Sequence, residues 1–214
     1  MPINKRMRLV LFRQIKVNPI RLLCFGLSLL LLACSPKFDW RTIKNESLGY
    51  SALFPGKPQQ IERTLNYQQK TLKQSLEFVK VDDDVFAVMT TEVPAVLVNQ
   101  VQQIEDLLRS VLLQQAASPN QAIPPTFNRV KESATRIGSI GQTKQGSQDY
   151  FLDLPQNKRV MRIRWLARPM LNGGLYLYQV SVIRSISEPN LNKPVEIYLE
   201  QENINTFFDE FRPN

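Results

Sequence analysis

A short apolar run near the start of the chain most constrains how this protein is made and where it goes. The twelve residues Leu22 to Ala33 carry no charge, whereas a helix that crosses the hydrocarbon core of a bilayer needs about 20 residues. The preceding 21 residues contain six basic residues and no acidic one. A basic region followed by a short apolar run is typical of a secretory signal peptide, and the basic residues stay on the cytoplasmic side. We therefore expect residues 1–33 to be a signal peptide and the rest of the chain to be exported.

The residues that end this run, Leu31-Leu32-Ala33-Cys34, resemble the lipobox of bacterial lipoproteins. In that family the cysteine receives a diacylglyceryl group and becomes the mature N-terminus, so the resemblance implies lipidation of Cys34 and an anchor in membrane lipid. The residue after the cysteine directs sorting, and Ser35 implies the outer membrane with the domain facing the periplasm. The inner membrane is the alternative location. An uncleaved single-pass anchor stays open as well, as does a start at Met7 rather than Met1.

The basic composition of the whole chain does not carry over to the exported part. The sequence has 27 basic and 19 acidic residues, a formal charge of +8 and a pI near 9.6. Six of the basic residues lie in 1–33 without any acid, which leaves 21 against 19 and a formal charge of +2. A near-neutral domain lacks the clustered positive charge of nucleic-acid-binding proteins. We expect no DNA or RNA partner.

The chain has two cysteines and no histidine. If Cys24 leaves with the signal and Cys34 carries lipid, the exported domain has no thiol left for a disulfide. The lack of histidine excludes Ser-His-Asp and Cys-His catalysis and histidine ligation of zinc. The aspartate run 82–84 lacks the twelve-residue spacing of an EF-hand calcium loop and is interpreted as a hairpin turn. We expect no cofactor, no metal site and no catalytic residue, and therefore a protein that is not an enzyme.

Apolar residues with a period of two predict strands, and a period of three to four predicts helices. Strands are predicted over 49–54, 59–67, 70–81, 85–93, 129–140, 148–154, 159–167 and 175–184, and helices over 99–117, with Asn99 as the N-cap, and over 195–211. This order predicts a single α+β domain, 47–214, in which two helices pack on an antiparallel sheet of about seven or eight strands. Residues 34–46 are predicted to be a tether in which Phe38 and Trp40 either pack back on the domain or lie near the lipid headgroups, where aromatic rings are favoured.

Several stretches add a second resemblance. They are Tyr50 to Pro58, Gly174 to Val182 and Phe207 to Phe211, and they resemble small bacterial domains of the PsbP and Mog1-like α/β type. The start of the exported part, Cys34 to Arg41, is similar to that of uncharacterised proteobacterial envelope lipoproteins. The resemblance implies an architecture and no catalytic residue, because one fold hosts many functions.

The strand predicted over 159–167 carries the best candidate binding site. Met161, Ile163 and Trp165 share one face, and the other face is basic, with Lys158, Arg162, Arg164 and Arg168. A basic face of this kind binds anionic lipid headgroups, a sugar phosphate or an acidic partner. The alternative is a solvated face paired with Asp149, Asp153 or glutamates on neighbouring strands.

These observations predict a lipoprotein of the cell envelope that binds or scaffolds other components without catalysis. Its expected partners are membrane lipid, through acylated Cys34, and envelope proteins. The alternative function is a small-ligand carrier or a carboxylate-based enzyme that uses the arginine-rich face of the sheet.

Overall fold

The structure is a computed structural model, and it describes residues 37–116, 127–137, 143–154, 158–186 and 193–214. The predicted signal peptide and the predicted lipidation and sorting residues, Cys34 and Ser35, lie outside the described residues. Within the described part of the chain, no helix is long and apolar enough to cross a bilayer. Antiparallel strands form two sheets, with helices beside them, which confirms the predicted α+β class.

The larger sheet contains seven strands. They are β3 (Gln59–Tyr67), β4 (Lys70–Val81), β5 (Asp84–Val93), β6 (Phe127–Ile137), β7 (Thr143–Leu154), β8 (Arg159–Pro169) and β9 (Leu175–Ser185). Their order across the sheet is β3-β4-β5-β9-β8-β7-β6, and every neighbouring pair is antiparallel. The hairpin predicted over 59–67 and 70–81 is confirmed. The hairpin turn predicted at the aspartate run is also confirmed, with Asp82 at a φ of 51°, a left-handed conformation that aspartate tolerates.

Alternate residues of each strand point to opposite faces of this sheet. On β9, Leu175 and Leu177 belong to one apolar cluster, whereas Tyr178, Val180 and Val182 belong to the other. We call the face that carries Leu177 the helix face and the face that carries Val180 the small-sheet face. The larger sheet therefore lies between two layers, each with an apolar core of its own.

The helix face is covered in part by a 3₁₀ helix, Ala95–Gln100, and by α1, Val101–Ala116, which follows it directly. Ile104 and Leu108 of α1 are buried in the same cluster as Trp165 of β8, so the predicted apolar stripe of this helix is confirmed. The prediction of Asn99 as N-cap is wrong, because Asn99 lies inside the 3₁₀ helix. That helix begins after Pro94, whose carbonyl accepts the Leu97 N–H at 2.9 Å.

The small-sheet face is covered by short strands and by the C-terminal helices. These are β1 (Arg41–Asn45), β2 (Tyr50–Phe54), β10 (Arg212–Pro213), α2 (Glu196–Leu199) and α3 (Glu202–Asp209). The short strands form a separate sheet in the order β1-β2-β10, so the prediction of a single sheet is wrong. The continuous helix predicted over 195–211 is divided, because Glu200 leaves the helical conformation at φ −102° and ψ 33°.

The folded part of the chain begins before the predicted end of the tether at residue 46. Residues 41–45, predicted to be tether, form β1, and a compact unit begins at Phe38. Phe38 stacks on Trp40 with ring centroids 5.6 Å apart, and both rings meet Phe86 edge-on at 6.4 and 6.2 Å. The predicted packing of Phe38 and Trp40 on the domain is therefore confirmed.

Candidate functional site

The two central arginines of the predicted basic face are buried. Arg162 and Arg164 are two residues apart on β8, so both point to the small-sheet face, and they are 4% and 1% exposed. Neither offers a cationic surface to a headgroup or an acidic partner. The alternative prediction, that these arginines lie on a solvated face, is wrong as well. The pairing with Asp149 that this alternative included is confirmed.

Asp149 on β7 joins both guanidinium groups. Its Oδ1 accepts Arg164 Nε at 2.6 Å, and its Oδ2 accepts Arg162 Nε at 2.8 Å and Arg164 Nη2 at 3.0 Å. Burial alone would raise the pKa of this carboxyl, but hydrogen bonds and positive charge from Arg164 and Arg162 outweigh the burial and hold the pKa below its usual range. We call Asp149, Arg162 and Arg164 the buried ion cluster.

The arginines of the sheet also hold the ends of the C-terminal helices. The carbonyls of Tyr198, Leu199 and Phe208 accept hydrogen bonds from Arg184 Nη1, Arg162 Nη1 and Arg164 Nη1 at 2.8, 3.4 and 2.9 Å respectively. The last carbonyls of a helix have no partner within it and carry partial negative charge. Guanidinium groups aimed at these carbonyls therefore fasten α2 and α3 to the sheet.

Two further contacts make this attachment specific. Arg162 Nη1 donates to Asn205 Oδ1 at 2.6 Å, and the Arg162 guanidinium lies 4.2 Å from the centre of the Phe208 ring, a cation–π distance. Any ligand of Arg162 or Arg164 would first have to displace α3. The buried ion cluster thus acts as a structural clamp, and α3 occupies the space beside it that the proposed carrier or enzyme site would need.

Arg184 and Asp84 form a similar pair that the sequence analysis missed. Arg184 Nε and Nη2 donate to the two carboxylate oxygens of Asp84 at 2.7 and 2.6 Å, the bidentate geometry that makes such pairs strong. The two residues are direct cross-strand partners on β5 and β9. Their opposite charges would have signalled the contact only if that register had been known.

The outer members of the predicted basic face lie apart from the cluster. Lys158 is exposed in the turn before β8, with a φ of 48°. Arg168 is half-buried near the far end of β8, and its Nη1 donates to the carbonyl of Gly49 at 3.3 Å. The structure therefore brings Arg162 and Arg164 together and leaves Lys158 and Arg168 with separate surroundings.

A buried carboxylate also lies beneath the small sheet. Glu77 of β4 is 6% exposed; it accepts a hydrogen bond from the Tyr50 hydroxyl and another from Asn45 Nδ2, the latter at 2.6 Å. Burial, and then the neighbouring Glu77 carboxylate, raise the pKa of Tyr50 above its ordinary value, so the phenol keeps its proton and remains a donor. This contact joins β1 and β2 to the larger sheet.

Two of the concave surfaces that the described residues form lie against the larger sheet. One is a polar trough of about 610 Å³ on the small-sheet side of the β3 edge, with Glu62, Lys73 and Glu92 in its lining. The other is an apolar groove of about 340 Å³ on the helix face, between α1 and β4. Among the described residues there is no group of three or more acidic or cysteine side chains that could hold a metal ion.

A comparison with known protein families gives no match, and no curated protein matches the sequence significantly.

Proposed function

We propose that this protein is a lipid-anchored protein of the bacterial cell envelope that binds or scaffolds other envelope components without catalysis. The observation that carries the proposal is the stretch Leu31 to Cys34, placed directly after a basic region and a twelve-residue apolar run. Ser35 favours the outer membrane, with the domain facing the periplasm, and the inner membrane is the alternative. The anchor is the acylated thiol of Cys34.

The packing of the first described residues supports a short tether. Phe38 follows Cys34 by four residues, and an extended chain covers at most about 14 Å over four residues. Phe38 already packs against Phe86. A lipid on Cys34 would therefore keep the domain next to the membrane surface, where it meets lipids and other anchored proteins.

The composition and the use of charge support a binding role rather than catalysis. The chain has no histidine, and the buried ion cluster is occupied by contacts that fasten α2 and α3. The layer order, with α1 on one side of an antiparallel sheet and the small sheet with α2 and α3 on the other, supports a PsbP and Mog1-like architecture. That architecture names no substrate.

Metabolic labelling with a radioactive or alkyne-tagged fatty acid tests the anchor. The wild-type protein and Cys24→Ala are expected to incorporate the label, whereas Cys34→Ala is expected to lose it; Cys24→Ala is the matched control because Cys24 lies in the apolar run. Ser35→Asp is expected to keep the label and to move from the outer to the inner membrane fraction. Label that persists in Cys34→Ala would overturn the proposal.

A further inference from the structure

The side chains that line the apolar groove are only partly covered by the rest of the domain. Leu76, Phe78, Val85 and Ile183 line it and are only partly buried, although they lie on the helix face of central strands. At its rim, Ile61 of the edge strand β3 is 50% exposed. The volume of about 340 Å³ lies at the lower end of the range for small-molecule sites, about 300–1,000 Å³.

One cation stands at the rim of this apolar surface. Arg63 of β3 lines the groove; its Nε donates to Gln74 Oε1 at 2.9 Å, and its Nη2 lies 2.9 Å from Met89 Sδ. Within the part of the chain that the structure describes, no carboxylate forms an ion pair with Arg63. Its guanidinium therefore keeps donors for an anion that enters the groove beside it.

The lining of the groove includes Ala87, the residue after Phe86, against which the first described residues of the domain pack. Phe86, which receives Phe38 and Trp40, and Ala87, which lines the groove, are neighbours on β5 and point to opposite faces. A lipid on Cys34 would hold the domain, and with it the groove, within reach of the bilayer. The proximity of the groove to the bilayer rests on the proposed function, whereas the apolar lining and the position of Arg63 do not depend on it.

We propose that the groove binds a fatty-acid anion, with its single acyl chain against Leu76, Phe78 and Ile183 and its carboxylate on Arg63. The apolar lining fits a hydrocarbon chain, and its small volume favours one chain over two. A planar guanidinium matches a carboxylate by paired hydrogen bonds. The ligand reaches the groove from the membrane beside which the anchor holds the domain.

Photocrosslinking tests this binding with the full-length protein in phosphatidylcholine nanodiscs. Two diazirine probes of equal chain length are compared, one a fatty acid and the other the corresponding uncharged alcohol. We expect the fatty acid to crosslink peptides of β4, β5 and β9 that line the groove. Arg63→Gln is expected to lower the yield with the acid about two- to five-fold, as for other exposed charge pairs, and to leave the yield with the alcohol unchanged.

Two further variants keep the result interpretable. Arg41→Gln removes an exposed arginine of β1, on the opposite side of the larger sheet from the groove, and is expected to change neither yield. Leu76→Gln is expected to lower both yields, and thermal unfolding shows whether it still folds. Equal loss of both probes in Arg63→Gln, crosslinks confined to other surfaces, or a stable homodimer that buries β3 would each overturn the proposal. Because nanodiscs present a bilayer whichever anchor holds the chain, failed binding is distinguishable from failed lipidation.

Discussion

Asp149 and Arg164 stand opposite each other on β7 and β8, and the carboxylate of one accepts two hydrogen bonds from the guanidinium of the other, at 2.6 and 3.0 Å. Asp149 is 0% exposed and Arg164 is 1% exposed. A second arginine, Arg162, shares the same carboxylate. One buried anion thus balances two buried cations that in turn hold α2 and α3.

Asp149→Asn tests this balance. The amide would remove the one buried carboxylate that Arg162 and Arg164 share, and losing one partner of a buried pair costs about 3–5 kcal/mol. We expect a loss of that size in the free energy of unfolding, measured by urea denaturation. Asp153→Asn is the matched control, since Asp153 is only half-buried on the same strand and should change stability by less than about 1 kcal/mol. Equal effects of the two variants would contradict the role assigned to the cluster.

The same carboxylate predicts a pH dependence. Arg164 and Arg162 hold the pKa of folded Asp149 below its usual range, so the folded state releases this proton more readily than the unfolded state, whose aspartate pKa is about 3.9. The stabilisation is complete above that pH and is lost as pH falls through the folded pKa. We expect the difference in unfolding free energy between wild type and Asp149→Asn to be constant from about pH 7 to 5 and to shrink below about pH 4. A difference that widens with acidification would contradict this account.

Tyr50→Phe tests the contact between the small sheet and β4. The substitution removes a donor from buried Glu77, and a buried acceptor that loses its partner costs about 1–3 kcal/mol. Tyr176→Phe is the control, because its hydroxyl donates to the Ser47 carbonyl in an exposed position. The control should cost less than about 1 kcal/mol, measured by the same denaturation. Equal losses in the free energy of unfolding for Tyr50→Phe and Tyr176→Phe would show that the Tyr50 hydroxyl contributes little to stability.

Phe38→Ala tests where the folded domain begins. Phe38 is half-buried against Trp40 and Phe86, so we expect a loss of about 2 kcal/mol, roughly half of that for a fully buried phenylalanine. Thr42→Ala, at an exposed position of β1, should change stability by less than about 0.5 kcal/mol. Thermal unfolding of both variants gives the comparison. If Phe38→Ala leaves the thermal stability unchanged, residues 38–40 belong to the tether and not to the folded domain.

Local patterning identified most of the larger sheet from the sequence. The alternation of apolar residues predicted the hairpin of β3 and β4, and the spacing of three to four residues in 101–112 predicted the apolar stripe of α1. β1 was missed because Arg41–Asn45 is polar and pairs with β2 along an exposed edge. The small sheet depends on a contact between segments about 160 residues apart along the chain, since β10 pairs with β2, and no local sequence pattern reports such a contact.

The candidate site shows the same limit. The period of two placed Arg162 and Arg164 on one face, as the structure has them. It did not reveal that α3 covers that face, because Asn205 and Phe208 are about forty residues away along the chain. The groove was missed for a related reason: Leu76, Phe78 and Ile183 look like ordinary core residues until the extent of α1 over the sheet is known.

The intact mass of the protein extracted from membranes tests the central claim most directly. The account predicts a polypeptide that begins at Cys34 and carries a diacylglyceryl group, with a further acyl chain on its amino group. A mass that corresponds to a chain beginning at Met1 or Met7 with an unmodified Cys34 would contradict it.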